Sequence, residues 1–206
     1  TESNNFYRIN HEGVILNNSP IFTVNDKIVF SPVIIKHQND FSIGFGSDDG
    51  NFYLINPDGN LEFSYSTGNK IRSSASIIDI DNEIYILFGS EDGFLYLVDI
   101  NGNDKLNWPV FIGESIENAP LFLDLQNDGN PEIIVAGSNE IKILNDNGDL
   151  IENLIEYNYS ITSSPVVHDL DLDGDLELIV GTNYDLLGID VKTPGNNQNL
   201  WSMYRG

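Results

Sequence analysis

Four similar segments follow one another along the chain at intervals of 43 to 45 residues. Each segment opens with two small residues or a small residue and proline, and its second apolar run ends in glycine. The openings are Ser31-Pro32, Ser74-Ala75, Ala119-Pro120 and Ser164-Pro165. The glycines are Gly46, Gly89, Gly137 and Gly181. A repeat of this size cannot bury its apolar face alone, so neighbouring repeats must pack on one another.

The residue patterns within the repeats are typical of β-strands. A third run in each of the first three repeats alternates polar and apolar residues, as in residues 51–55, and turns rich in Gly and Asn follow it, as in residues 57–60. No sustained apolar period of 3.6 residues is visible. Each repeat is therefore predicted to be a four-stranded antiparallel meander. Radial stacking of such units predicts an all-β fold, a β-propeller.

The repeats set the expected domain organisation, a single propeller region over residues 1–206. A half blade is expected over 1–30, followed by repeats over about 31–73, 74–118, 119–163 and 164–206. The total of about 4.7 blades fits a five-bladed ring or, better, part of a larger ring. The chain starts without Met or a leader, which favours a processed or excised chain.

Strands at the two ends of the chain should complete the propeller. We expect the strand containing Phe6 to Ile9 to pair with the last repeat or with a partner segment from another polypeptide, because an open sheet edge is an aggregation hazard. The segment 200–206 resembles the fourth-strand region around Trp108 and should end the last blade.

The composition limits the classes of partner. The chain has 32 acidic and 9 basic residues, a formal net charge of −23. This charge repels nucleic-acid phosphates and anionic membrane surfaces. No stretch approaches 18 apolar residues, which argues against membrane insertion. The absence of cysteine excludes disulfides, zinc–thiolate sites and cysteine nucleophiles.

One acidic loop in the last repeat has the spacing of a calcium site. It reads D-x-D-x-D-G-D-x-E, and its acidic residues are Asp169, Asp171, Asp173, Asp175 and Glu177. Calcium prefers six to eight oxygen ligands, and Gly174 permits the sharp turn. An EF-hand would need an acid at its twelfth position, where this loop has Val180. The alternative is an acidic, solvated turn.

Earlier repeats contain weaker versions of this loop. One version has candidate ligands at Asp124, Gln126, Asp128, Asn130 and Glu132. Gln126 retains an oxygen but removes a charge, so a lower calcium affinity is expected. The corresponding residues 79–83 and 36–40 lack this pattern and are predicted to be plain turns.

Residues 164–181 resemble the FG-GAP or VCBS repeat of integrin-α-like propellers. Residues 46–53 and 89–96 look more like PQQ-type propeller blades, in shape only and without the cofactor. The resemblance implies that the loop closes at its ninth position. It also implies side-chain ligands from Asp169, Asp171, Asp173 and Glu177, and a backbone carbonyl ligand from Asp175.

No catalytic constellation is visible. The three histidines, His11, His37 and His168, lack metal-binding spacing, and there is no G-x-S-x-G motif. We therefore expect a non-catalytic, calcium-stabilised binding or structural module of a secreted or cell-surface protein, with a protein or carbohydrate ligand. The alternative is the propeller part of a polysaccharide-active enzyme such as a lyase. The aromatic residues near the fourth strands fit packing between blades better than carbohydrate stacking.

Overall fold

The computed structural model describes residues 3–16, 19–37, 40–125, 128–154, 160–194 and 196–201. These residues form β-strands joined by turns and loops, and none of them forms a helix that could cross a membrane. The strands are β1 (Ser3–Phe6), β2 (Phe22–Ile28), β3 (Val33–His37), β4 (Asp40–Gly46), β5 (Asn51–Ile55), β6 (Leu61–Ser66), β7 (Ser76–Ile80), β8 (Glu83–Gly89), β9 (Phe94–Asp99), β10 (Val110–Phe111), β11 (Leu121–Asp124), β12 (Glu132–Ala136), β13 (Ile141–Leu144), β14 (Leu150–Asn153), β15 (Val166–His168), β16 (Asp175–Gly181), β17 (Leu186–Pro194) and β18 (Asn196–Trp201).

The strands form five antiparallel sheets. The predicted four-stranded meander is confirmed for the first three repeats, and the last repeat has three described strands in its sheet. Two sheets have four strands each, in the orders β3-β4-β5-β6 and β7-β8-β9-β10. The next sheet contains β11 to β14, with β18 added beside β11. The last repeat contributes β15-β16-β17, and the N-terminal segment contributes β1-β2. Among the described strands no ladder joins the first sheet to the last, so these strands show no closure of the propeller by pairing of its two ends.

The first strands of successive sheets face the axis, and in the sheet of β11 to β14 the added strand β18 lies on the inner side of β11. Strand β7 contacts both β3 and β11, which belong to the neighbouring sheets. Hydrogen bonds also join positions one repeat apart. Ser73 Oγ donates to the carbonyl of Asn118 at 3.0 Å, and the amide of Ala119 donates to Ser164 Oγ at 2.9 Å. The small residues that open each repeat therefore connect neighbouring blades near the axis.

Apolar side chains fill the spaces between neighbouring sheets. Phe52 stacks on Phe88 of the next sheet with ring centroids 4.6 Å apart, and Phe6 stacks on Phe45 at 5.6 Å. Trp108 is 6% exposed and donates from Nε1 to the carbonyl of Asp146 in the next sheet. Because strand residues alternate between faces, each central sheet contributes to the core on both sides.

A repeated aspartate fastens each of two hairpins to the preceding sheet. Asp49 Oδ2 accepts hydrogen bonds from the hydroxyl of Tyr53 at 2.8 Å and from the amide of Asn25 at 3.0 Å. Asp92 Oδ2 does the same for Tyr96 at 2.7 Å and for the amide of Gly68. Burial, together with the hydrogen bond to Asp49, raises the pKa of Tyr53 to about 12. This repeated set of hydrogen bonds to an aspartate was not predicted from the sequence.

The two ends of the chain bear on the expected completion of the propeller. Strand β1 pairs with β2, and an Ile9–Ile15 bridge continues this hairpin. No ladder between described strands joins β1 to the last repeat, and its pairing with a segment of another polypeptide stays a prediction. The segment 200–206 was expected to end the last blade. Its first two residues belong to β18, which pairs antiparallel with β11, and residues 202–206 lie outside the described residues. The inner edge of β11 has free backbone groups that accept a strand.

Candidate metal site

The acidic loop of the last repeat connects β15 to β16. In this hairpin His168 lies opposite Glu177, so Glu177 lies beside the start of the loop at Asp169. Leu172 and Gly174 have positive φ values of 64° and 99°. These two left-handed residues turn the loop back toward the hairpin. The strand register thus brings together residues that are eight positions apart in the sequence.

Three carboxylates converge at this loop. Asp169, Asp171 and Glu177 each offer an oxygen within 4.8 Å of the others. The loop backbone holds them in place. The amide of Leu170 donates to Glu177 Oε2 at 2.6 Å, the amide of Gly174 to Asp169 Oδ2 at 3.2 Å, and the amide of Asp173 to Asp171 Oδ1 at 3.3 Å.

One oxygen of this group lacks a hydrogen-bond partner. Asp169 Oδ1 is buried and accepts no hydrogen bond. Leaving a buried acceptor unsatisfied costs about 1–3 kcal/mol, and more for a charged group. A hard divalent cation would satisfy this oxygen and would offset the repulsion among the three carboxylates. The residues present therefore fit calcium, which selects oxygen ligands.

The other two predicted ligands are less defined. Asp173 is exposed, and its carboxylate is not part of the converging group. Asp175 begins β16 and pairs with Pro194. Its side chain lies outside the described side chains, and the role of its carbonyl stays a prediction.

The weaker loop shares one backbone hydrogen bond with the acidic loop of the last repeat, but the hydrogen bonds of its first acidic residue differ. The amide of Leu125 donates to Glu132 Oε2 at 2.8 Å, as the amide of Leu170 does to Glu177 in the last repeat. Both oxygens of Asp124 accept backbone hydrogen bonds, Oδ1 from Asp128 and Oδ2 from Gly129. Asp128 Oδ1 accepts the amide of Asn130.

These hydrogen bonds give both carboxylate oxygens of Asp124 partners within the weaker loop. Gln126 lies outside the described residues, and within the described part of the chain this loop holds no group of three converging carboxylates. Metal binding by this loop stays a prediction. The loop at 79–83 is a two-residue hairpin connection in which Asp81 and Asn82 have positive φ values.

The comparisons with known proteins agree with this geometry. The family model described as "FG-GAP-like repeat" matches residues 124–180, which include both acidic loops. No curated protein matches the chain.

Three solved structures share the arrangement of sheets. The WD40 β-propeller domain of Doa1 superimposes with a TM-score of 0.61 at 18% identity, over 88% of this chain and 55% of that one. BBS1N in complex with ARL6DN gives 0.61 at 16% identity, over 92% and 58%. BamB from Moraxella catarrhalis gives 0.58 at 18% identity, over 82% and 49%.

The chain thus spans about half the length of the structures it matches. At these identities the likeness establishes the fold alone. The chain is therefore built from β-propeller repeats, and its residues 124–180 are similar to the FG-GAP-like repeat.

Proposed function

We propose that this chain is a non-catalytic β-propeller module that binds a protein partner outside the cell and is stabilised by calcium in its last repeat. The observation that carries the calcium part is the convergence of Asp169, Asp171 and Glu177 around a buried oxygen without a partner. The proposed location is one where calcium is millimolar, the concentration at which the calcium sites of extracellular modules are filled.

The binding role is supported by the architecture. A propeller presents loops at both ends of its axis, and one of the similar structures, BBS1N, is a complex with ARL6DN. A carbohydrate ligand has less support. Tyr65 packs against Phe88 and Tyr96 of the next sheet, and Trp108 is buried, so these two aromatic side chains serve the core and are not free to stack on sugars.

Calcium would act by holding the last hairpin closed. The loop carboxylates come from the turn and from β16, and an ion shared by them would join the two strands at one end. Ligands that bind only the folded state stabilise it by RT ln(1 + [Ca]/Kd). For a Kd on the order of 10⁻⁴ M, millimolar calcium would contribute about 1.4 kcal/mol.

Calcium should therefore raise the melting temperature of the protein, and EDTA should lower it by several degrees, about what 1.4 kcal/mol produces in a domain of this size. Asp171→Ala should remove most of the calcium-dependent shift, because it deletes one of the three converging carboxylates. Differential scanning calorimetry with and without calcium measures both effects.

The matched control is Asp81→Ala, which also removes an acid from a hairpin connection but lies in the plain turn between β7 and β8. This variant should keep the full calcium response. If the melting temperature of each protein, wild type included, is the same in calcium as in EDTA, the proposed calcium site is wrong and the loop is only an acidic turn.

A further inference from the structure

The connections between successive sheets meet around a cavity. Each connection leads from the outer strand of one sheet to the inner strand of the next. Members of the four connections, including Phe30, Ser74, Glu117 and Thr162, line a cavity of about 500 Å³. A second cavity of about 290 Å³ shares Phe30, Glu117 and Thr162 with the first. The two cavities lie side by side along these shared residues, and we call them together the axial pocket.

Several polar groups of the axial pocket already have structural partners. Ser164 Oγ accepts the amide of Ala119 at 2.9 Å, and Ser163 Oγ accepts the amide of Gly181 at 2.7 Å. Asn118 Nδ2 donates to the carbonyl of Ala136 at 3.2 Å. These groups fix the shape of the axial pocket, and because they already make hydrogen bonds they have less hydrogen-bonding capacity left for a ligand.

Two side chains of the axial pocket are available to a ligand. Phe30 is 37% exposed. Glu117 is exposed and accepts a hydrogen bond of 3.4 Å from Ser115 Oγ, and it forms no salt bridge with the described basic residues. The nearby guanidinium of Arg72 is held by Asp48 at 2.8 Å and by Glu91 at 3.4 Å. Arg72 therefore acts on Glu117 only through space, and the carboxylate of Glu117 has no direct ion pair with the described basic residues.

We propose that the axial pocket binds a lysine or arginine side chain of a protein partner, with the ring of Phe30 and the carboxylate of Glu117 as its contacts. An aromatic ring attracts a cation through its negative face, and a nearby carboxylate adds a charge-assisted hydrogen bond. The net charge of −23 raises the local concentration of basic segments near the protein. This inference rests on the proposed binding role, since it names where and by what chemistry a partner is held.

The probe for this site is the peptide acetyl-Gly-Arg-Gly-amide, compared with its citrulline analogue, which has almost the same shape and no charge. Titration of ¹⁵N-labelled protein is followed by NMR at about 150 mM salt, where diffuse attraction is screened. We expect saturable shifts of the Phe30, Glu117 and Thr162 amides with the arginine peptide, and affinity about tenfold lower for the citrulline peptide.

Phe30→Leu and Glu117→Gln should each weaken binding of the arginine peptide by about fivefold or more. The controls are Phe41→Leu, at a phenylalanine that is 40% exposed on β4, and Glu62→Gln, at an exposed acid on β6. Both controls should bind like the wild type.

Two results would overturn the axial pocket as a cation site. One is saturable binding that survives Phe30→Leu and Glu117→Gln, and the other is the absence of saturable binding to the wild type. Neither result bears on the calcium response, which tests the proposed function separately. If a protein partner binds and the Phe30→Leu and Glu117→Gln variants bind it equally well, the proposed binding role is retained and only the assignment of the axial pocket is wrong.

Discussion

Gly89→Ala is expected to destabilise the protein by about 2–3 kcal/mol, the upper part of the usual cost of overpacking a core. Gly89 ends β8, and a methyl group there would lie 2.6 Å from Cβ of Ile116. Ile116 cannot move away easily. It is fully buried, and its amide donates to the carbonyl of Ser90 at 3.1 Å. Urea unfolding should show a lower midpoint with an unchanged m-value.

Two other glycines provide controls for this prediction. Gly188 lies on β17 with no atom within 4 Å of an added methyl group, so Gly188→Ala should change stability by less than about 0.5 kcal/mol. Gly137 faces the flexible end of Glu114, which can swing aside, so Gly137→Ala should have an intermediate effect. Equal stability of all three variants would show that Gly89 does not limit the spacing between the sheets.

The repeating glycines show how far the sequence alone could reach. Their positions at the ends of the second strands, together with period-two alternation, were sufficient to predict four-stranded repeats. The reason for Gly46 and Gly89 could not be predicted, since it lies in Ile71 and Ile116, which follow more than 20 residues later and pack against them from the next connection. The pairing of β18 with β11 depends on a free inner edge, a property of the assembled sheets.

The candidate site was predictable to a similar degree. The convergence of Asp169, Asp171 and Glu177 follows from a local spacing within one hairpin, which the sequence displays directly. The same spacing did not reveal that Asp124 uses both of its oxygens on backbone amides, because this depends on the path of the turn. The axial pocket was missed because Phe30 and Glu117 lie in different repeats and meet only when the sheets are arranged around an axis.

Arg72→Ala should be the most damaging change of charge, at about 2–3 kcal/mol of unfolding free energy. Arg72 binds Asp48 through two hydrogen bonds of 2.8 Å and reaches Glu91 in the next sheet at 3.4 Å. The side chain of Asp48 is only 4% exposed, so its carboxylate would remain buried, with Lys70 at 3.9 Å and Lys27 acting through space as its remaining cations. Because Arg72 itself is 31% exposed, water would replace part of the lost interaction.

Two variants separate the loss of this ion pair from a general effect of lost positive charge. Arg8→Ala also removes an arginine, but Arg8 is exposed and bonded to the carbonyl of Pro57, so less than about 0.5 kcal/mol is expected. The double change Arg72→Ala with Asp48→Asn removes the buried charge together with its partner. It should recover a substantial part of the lost stability.

The effect of Arg72→Ala should also depend on pH. The hydrogen bonds from Arg72 hold the pKa of Asp48 below its usual value, against the opposing effect of burial. A lowered pKa in the folded state means that ionised Asp48 stabilises the fold above about pH 4, and that this contribution is lost as the pH falls through the folded-state pKa. The stability difference between wild type and Arg72→Ala should therefore be full at pH 7 and should shrink below pH 4. Urea unfolding at a series of pH values measures this difference, and a difference that stays constant down to about pH 2.5 would contradict the assignment of the pair.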